Sequence, residues 1–198
     1  MARSGLESFD LIINVAGIGS GSDPALREQN QLGVELRMAV NAVAPHLIVR
    51  ELAGSLSATG RVIHVGSMGQ AALDLDDLNF ERRYEGIEAY CRSKLALVMS
   101  AQDLATRGVP INVVHPANEM PTAMVTEAGF PIASTLDDGT LPVLRLALDS
   151  KVAGVTGQYF DRFDRAEPHP QADDPDARRR VVDWLEAAAS AHLAPSAT

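Results

Sequence analysis

The chain has 198 residues, of which 46% are hydrophobic and 22% charged, and this length and composition predict a single globular domain over residues 1–198. The formal net charge of -9 and the pI near 4.9 argue against a nucleic-acid partner and against binding to an anionic membrane. The single cysteine, Cys91, cannot form an internal disulfide, and no apolar run is long enough to span a bilayer. We therefore expect a cytoplasmic protein, and the scattered histidines predict no metal site.

Strand-like and helix-like segments alternate along the chain. A continuous apolar run at residues 9–15 predicts a buried parallel strand, and the β-branched runs at 61–65 and 111–115 predict two more. Apolar residues at helical spacing predict helices at 34–56, 88–106, 134–148 and 174–191, with the segment 165–174 as a loop.

The first strand is followed by the glycine-rich segment Gly17-Ile18-Gly19-Ser20-Gly21-Ser22. In a dinucleotide-binding turn the third glycine would fall at Ser22, and no strand ending in an acid follows about 20 residues later. The segment is therefore interpreted as a flexible loop. Asp23-Pro24 could begin a helix, or the helix could start after Gly33.

Two positions near the ends of predicted elements carry groups suited to catalysis. Ser67 ends the strand at 61–65, and the carboxyl ends of parallel strands are where open α/β sheets gather their functional side chains. Asn41 lies in the middle of the helix at 34–56. Taken alone, Ser67 could equally be a turn former and Asn41 a plain polar helix residue.

Tyr90 and Lys94 are four residues apart on the helix at 88–106, so their side chains lie one turn apart on the same side. An ammonium group beside a phenol favours the phenolate, and we expect it to lower the Tyr90 pKa toward working pH. The phenol would then serve as a general acid or base. A solvated Tyr and Lys on a helix surface is the alternative that this pair alone leaves open.

In combination, these motifs resemble the short-chain dehydrogenase/reductase family, and the spacer between Ser67 and Tyr90 resembles its retinol-dehydrogenase-like branch. The matching motifs, in order, are Asn14-Val15-Ala16-Gly17, Asn41, Ser67, Tyr90-x-x-x-Lys94 and His115-Pro116-Ala117 followed by Thr122. The resemblance implies catalytic roles for Ser67, Tyr90, Lys94 and Asn41. It implies remnants of cofactor contacts at Asn14, Ala16, Gly17 and Thr122. Val15 replaces the family's second Asn and Ala117 its Gly.

A complete member of the family opens with a strand, a Gly-rich turn and a helix that hold the dinucleotide pyrophosphate. This chain begins about ten residues before the fourth family strand. The resemblance therefore implies an α/β fold with a partial Rossmann-like, doubly wound parallel sheet that lacks its first strands. The segment 154–160 resembles the family's final strand. NAD(P)(H) is the cofactor that the family would use, and no cofactor is expected for this chain alone.

Three functions remain open at this point. The first is acid–base catalysis on a carbonyl or hydroxyl compound without hydride transfer, as in dehydration, cyclisation or isomerisation. The second is an NAD(P)-dependent oxidoreductase that needs a partner chain or a further N-terminal segment, and the third is a non-catalytic binding subunit. We expect substrate selection in the loops at 74–83 and 118–134. A homodimer or another chain pairing is expected through the exposed strand at 9–15 or the helices at 34–56 and 88–106.

Overall fold

A computed structural model describes residues 8–193 and shows an α/β fold built on one five-stranded sheet with the order β1-β2-β3-β4-β5. The first four strands are parallel neighbours: β1 (Phe9–Asn14), β2 (Leu56–Val65), β3 (Ile111–His115) and β4 (Tyr159–Asp161). The fifth, β5 (Asp164–Ala166), runs antiparallel to β4. The predicted partial Rossmann-like sheet is confirmed, whereas the predicted loop at 165–174 was wrong at its first residues.

Helices lie on both faces of the sheet. One face carries α1 (Leu36–Met38), a π-helical turn (Ala39–Val43), α2 (Ala44–Leu52), α3 (Gly86–Thr106) and α6 (Pro175–Leu193). The other carries α5 (Leu136–Leu148), and the short α4 (Ala123–Glu127) lies in the loop after β3. No helix begins at Asp23-Pro24, which forms a turn, so the helical segment starts after Gly33, the second of the two predicted possibilities.

Successive side chains along each strand point to opposite faces of the sheet, so the hydrophobic core has two parts, one on each face. Val62 and Val113 point to the face covered by α3, where they pack with Leu95 and Val98. Ile63 and Val114 point the other way, toward α5. Because both faces of these central strands are covered, their sequences are continuously apolar rather than alternating.

The C-terminal helix α6 packs across α2 and α3. Its Val181 and Leu185 are fully buried in the larger core. A polar cluster joins the three helices, because His46 Nδ1 lies 2.8 Å from Ser100 Oγ and His46 Nε2 lies 3.3 Å from Glu186 Oε1. Part of the surface that was expected to form a dimer, at 34–56 and 88–106, is therefore occupied by the chain's own helix.

β1 is an edge strand among the described residues, since β2 is its one neighbour. Ile12 is buried against the α3 side, but Leu11 and Ile13 are only partly covered on the α5 side, and Val15 is 64% exposed. The prediction of a strand covered on both faces was thus wrong for the α5 side within the described residues. The outer hydrogen-bonding groups of β1 face away from the sheet and could pair with another strand.

Candidate active site

The carboxyl ends of β1, β2 and β3 meet at one edge of the sheet, as expected for parallel strands. This edge brings together Asn14, Ser67 and the start of the loop that follows His115. The amino-terminal part of α3 lies against it and carries Tyr90 and Lys94. The catalytic positions predicted from the sequence therefore lie in one place.

Asn14 is held by a histidine that sequence reasoning did not single out. The Nδ2 atom of Asn14 lies 3.0 Å from Nδ1 of His64, which is fully buried on β2 opposite Asn14. Burial lowers the His64 pKa to about 3, so the ring is neutral and can accept from the Asn14 amide. Its Nε2 atom finds no hydrogen-bond partner among residues 8–193. Asn14 is therefore joined to the neighbouring strand through its Nδ2 atom.

The turn after β1 is fixed on the helix through Asn41. The Asn41 side chain accepts from the Ile18 N–H at 2.9 Å and donates to the Ile18 carbonyl at 3.0 Å. It also donates to Ser93 Oγ at 2.9 Å, and Ser93 donates to the backbone carbonyl of Tyr90 at 2.7 Å. Asn41 sits in the π-helical turn, a local distortion that is frequent at functional sites. The residue thus connects the turn to the helix that carries the Tyr.

A buried arginine holds the same turn from its other side. Arg37 is 1% exposed and donates to the carbonyl groups of Gly19 at 3.0 Å and Ser20 at 2.9 Å. Its charge is balanced by Glu28 at 2.8 Å and by the buried Glu35 at 3.4 Å. The turn that was interpreted as flexible is therefore fixed by charge-assisted hydrogen bonds.

Tyr90 and Ser67 are neighbours, because a Cβ atom on Gly69 would lie 3.4 Å from Ser67 Oγ and 3.8 Å from Tyr90 Cε1. Ser67 Oγ accepts from the Gly69 N–H at 3.0 Å, which fixes the hydroxyl. Burial raises the pKa of the Tyr90 phenol, and the neighbouring Ser67 hydroxyl opposes this only in part. The phenol is therefore neutral near pH 7 and can donate a proton.

The expected lowering of the Tyr90 pKa by Lys94 was wrong for the chain as it stands. The Lys94 Nζ atom lies 5.7 Å from the centre of the Tyr90 ring and donates to the Val65 carbonyl at 3.1 Å. Lys94 is itself only 4% exposed, and burial lowers its pKa to about 8. Desolvation of both side chains outweighs the attraction between the phenolate and the ammonium.

The remaining predicted cofactor contacts, Ala16, Gly17 and Thr122, are divided between the turn and the loop after β3. A Cβ atom on Gly17 would lie 3.3 Å from Asn41 Oδ1 and 3.4 Å from Lys94 Nζ, so the Gly17 backbone borders the catalytic lysine. Ala16 is exposed beside it. Thr122 precedes α4, and its side chain makes no capping hydrogen bond to that helix.

A dinucleotide would find only part of its usual site in the described residues. Gly17, Asn41 and Lys94 lie around one point, the position of a Cβ atom on Gly17. A phosphate cradle needs a Gly-rich turn that leads directly into a helix. The turn at Gly17–Ser22 is instead followed by turns and a single β-bridge before α1 begins at Leu36. Residues 8–193 therefore do not provide the site for the pyrophosphate.

A cavity of about 340 Å³ opens next to the backbone of Ser67; the side chains of Ser67, Tyr90 and Lys94 are not part of its lining. The hydroxyl of Tyr159 donates to the Ser67 carbonyl at 3.0 Å and forms part of the wall. Gln70 forms another part, and its side chain is fixed by Ser67 and by the backbone of His169. The lining comes from segments 68–70 and 159–169, which were not among the loops expected to select a substrate.

Comparison with known proteins agrees with this geometry. A family model described as short chain dehydrogenase matches residues 1–129. The chain belongs to this family. It is 32% identical over 207 residues to human retinol dehydrogenase 13, a match that covers 92% of this chain and 60% of the relative. Human retinol dehydrogenase 14 is 30% identical over 198 residues, with 90% and 58% covered. The retinol-dehydrogenase-like resemblance is confirmed, and the chain spans about 60% of the length of these relatives.

Solved structures support the same fold. An uncharacterised protein from Mycobacterium paratuberculosis superposes with a TM-score of 0.71 at 23% identity, with 94% of this chain and 69% of that chain covered. A short-chain dehydrogenase/reductase from Burkholderia multivorans with bound NADP gives a TM-score of 0.59 at 25% identity, with 84% and 68% covered. Relatives in this family thus bind NADP.

Residues 8–193 show neither a metal site nor a membrane-spanning helix. Among residues 8–193, no three His, Cys, Asp or Glu side chains are grouped closely enough to hold a metal ion. Over the same residues, every helix is too short or too polar to cross a bilayer. The location in the cell stays a prediction.

Proposed function

We propose that this chain catalyses proton transfer at the oxygen of a small carbonyl or hydroxyl compound, with Tyr90 as the acid. The observation that carries the proposal is the grouping of the partly buried Tyr90 with the buried Ser67 and Lys94, in which Ser67 Oγ and the Tyr90 ring border one point and Lys94 Nζ lies 5.7 Å from the ring centre. Nothing in helix packing requires a phenol, a hydroxyl and an ammonium group so close together, since each of them costs desolvation. The combination is instead what acid–base catalysis on oxygen needs.

Each residue has a defined role in this proposal. The substrate oxygen occupies the cavity beside Ser67, whose hydroxyl donates a hydrogen bond to it. Tyr90 gives its proton to that oxygen, and the raised pKa keeps the proton available at neutral pH. Lys94, at 5.7 Å from the ring, stabilises the phenolate that the transfer leaves behind. Asn41 acts as a positioning residue because it fixes the turn and, through Ser93, the backbone of Tyr90.

The chain acting alone performs this chemistry without hydride transfer, as in a dehydration, cyclisation or isomerisation. The proton that Tyr90 gives to oxygen is then balanced by a proton that the carbon loses to water, so the reaction consumes no reductant. Three features support this part of the proposal. Residues 8–193 contain no phosphate cradle, the turn at Gly17–Ser22 is held by Arg37, and Ala117 occupies the position of the family's glycine.

Exchange of α-protons for deuterium in a panel of simple ketones, followed by NMR in D₂O, tests the acid–base step without a known substrate. Tyr90→Phe is expected to slow this exchange by about 100-fold, within the usual range for loss of a general acid. Tyr84→Phe is the matched control, because Tyr84 is also half-buried near α3 but hydrogen-bonds to Glu35. Equal exchange rates in wild type and Tyr90→Phe would contradict the proposal.

A second candidate is an NAD(P)-dependent oxidoreductase whose pyrophosphate site comes from another chain or a further segment. The family membership and the retained contacts at the nicotinamide end favour it. The open edge of β1 is where such a strand would pair, or where a second copy of this chain would. Saturable quenching of NADPH fluorescence by the protein alone would favour this candidate. It would also contradict the proposal that the chain alone works without hydride transfer. A stable monomer in analytical ultracentrifugation at micromolar concentration would count against pairing with a second copy.

The third interpretation, a non-catalytic binding subunit, predicts that Tyr90→Phe changes no measured activity. It also predicts that the open β1 edge is the functional surface. The grouping of Ser67 with Tyr90 argues against it, because a binding subunit has no use for a desolvated proton donor.

A further inference from the structure

The loop between β3 and α5 is anchored at two points, each a methionine packed on a glycine. A Cβ atom on Gly139 of α5 would overlap the sulfur atom of Met120. A Cβ atom on Gly19 would lie 2.8 Å from Met124 Cγ and 3.7 Å from its sulfur atom. The loop, which includes α4, therefore forms a lid (residues 118–133) that is held down on the turn after β1.

The second anchor lies over the lysine end of the site. A Cβ atom on Gly17 would lie 3.9 Å from Met124 Cε, and the same point is 3.4 Å from Lys94 Nζ and 3.3 Å from Asn41 Oδ1. The methyl end of Met124 thus covers the corner formed by Gly17, Asn41 and Lys94. A flat ring can enter this corner only if the Met124 side chain moves away. Met has three rotatable bonds and moves at low cost, so the cover is displaceable.

We propose that Met124 is a specificity-determining residue that keeps a nicotinamide-sized ring away from Lys94. This proposal rests on the proposed function, because it explains why the chain alone works without hydride transfer. It adds a physical obstacle at the nicotinamide end, where the retained contacts would otherwise fit the ring. The substrate reaches Tyr90 from the other side, through the cavity beside Ser67.

Hydrogen exchange of the lid amides tests the packing itself in the unliganded protein. Amide groups of Thr126, Ala128 and Gly129 are bonded within the lid and report its opening. Gly19→Ala is expected to speed their exchange at least fivefold, because overpacking against Met124 displaces the side chain. Met124→Ala should also speed exchange of the lid amides, because it removes the anchor, even though Ala favours the helix α4 more than Met does. Gly54→Ala is the control, since nothing lies within 4 Å of its added Cβ atom.

The double variant separates a direct contact from two unrelated effects. If Gly19 matters because it accommodates Met124, adding Gly19→Ala to Met124→Ala should change lid exchange by less than twofold. If the increases in lid exchange rate caused by the two single variants multiply in the double variant, the residues share no contact and the inference is overturned. The inference is also overturned if Gly19→Ala exchanges as slowly as Gly54→Ala.

Titration with reduced nicotinamide mononucleotide, followed by its fluorescence, tests the selectivity. This probe contains the ring and one phosphate, so it does not need the adenosine half of the site. Met124→Ala is expected to bind it at least tenfold more tightly than wild type. Equal affinities, or no saturable binding by Met124→Ala, would overturn the proposal. The result is independent of the ketone exchange assay, so failure here and failure of the Tyr90 chemistry are distinguishable.

Discussion

Replacement of Lys94 by Met should make the protein more stable at neutral pH, although it removes a catalytic group. Burial lowers the Lys94 pKa from 10.5 to about 8, which means that the fold holds the charged amine at a cost. At 1.36 kcal/mol per pKa unit, the cost at pH 7 is about 3 kcal/mol. Met fills a similar volume without a charge, and the lost hydrogen bond to Val65 offsets about 1 kcal/mol. The expected net gain is about 2 kcal/mol.

The pH dependence gives this prediction its sharpest test. Between pH 8 and 10.5 the unfolded chain still binds the Lys94 proton while the native state has released it, so this residue makes wild-type stability rise with pH. The advantage of Lys94→Met should therefore be full at pH 7 and should fall below about 1 kcal/mol near pH 10.

Urea unfolding at several pH values measures the difference. The chain offers one matched control, because its only other lysine, Lys151, is exposed. Lys151→Met should change stability by less than about 0.5 kcal/mol at every pH. A Lys94→Met variant that is less stable than wild type at pH 7, or a difference that does not vary with pH, would refute the claim that Lys94 is held at a desolvation cost.

Three further predictions follow from single contacts. Gly66→Ala should destabilise the fold by about 1–3 kcal/mol in urea unfolding, because its Cβ atom would lie 2.6 Å from Val113 Cγ1, whereas Gly54→Ala should not. Arg37→Met should cost about 3–5 kcal/mol by the same measurement, because it leaves Glu35 buried without its counter-charge, and the exposed Arg82→Met should be near neutral. Ketone α-proton exchange should be constant through neutral pH, fall as Lys94 loses its charge near its pKa of about 8, and fall further as Tyr90 ionises above its ordinary pKa; a fall between pH 6 and 7 would contradict a protonated Tyr90.

The sequence was sufficient for the positions of the catalytic groups because each is tied to an element boundary. Ser67 follows a strand, and Tyr90 and Lys94 are a helical turn apart, so the order of strands and helices brings them to one edge. The protonation states could not be predicted in the same way. They depend on how much water each group loses, and burial of Tyr90 and Lys94 is set by distant residues that pack around them.

Tertiary contacts also explain the features that sequence reasoning missed. From the sequence, Arg37 would be predicted as an exposed cation on a helix. It is buried because the carbonyl groups of Gly19 and Ser20 and two carboxylates surround its guanidinium group. His46 gives no local signal, since its partners Ser100 and Glu186 lie 54 and 140 residues away. The packing of Met124 depends on two glycines far upstream. Long-range partners of this kind have no spacing rule in a single sequence.

The acid–base end of the site is stabilised by contacts that lie wholly within this chain. Asn41 fixes the turn and Ser93, Ser93 fixes the Tyr90 backbone, and Val65 accepts from Lys94. Each of these partners is a group of this chain. The corner formed by Gly17, Asn41 and Lys94 is covered by Met124, whose flexible side chain lies on the lid. Because Asn41 and Lys94 belong both to this corner and to the network around Tyr90, a ring that displaced Met124 would lie beside groups that hold Tyr90 in place.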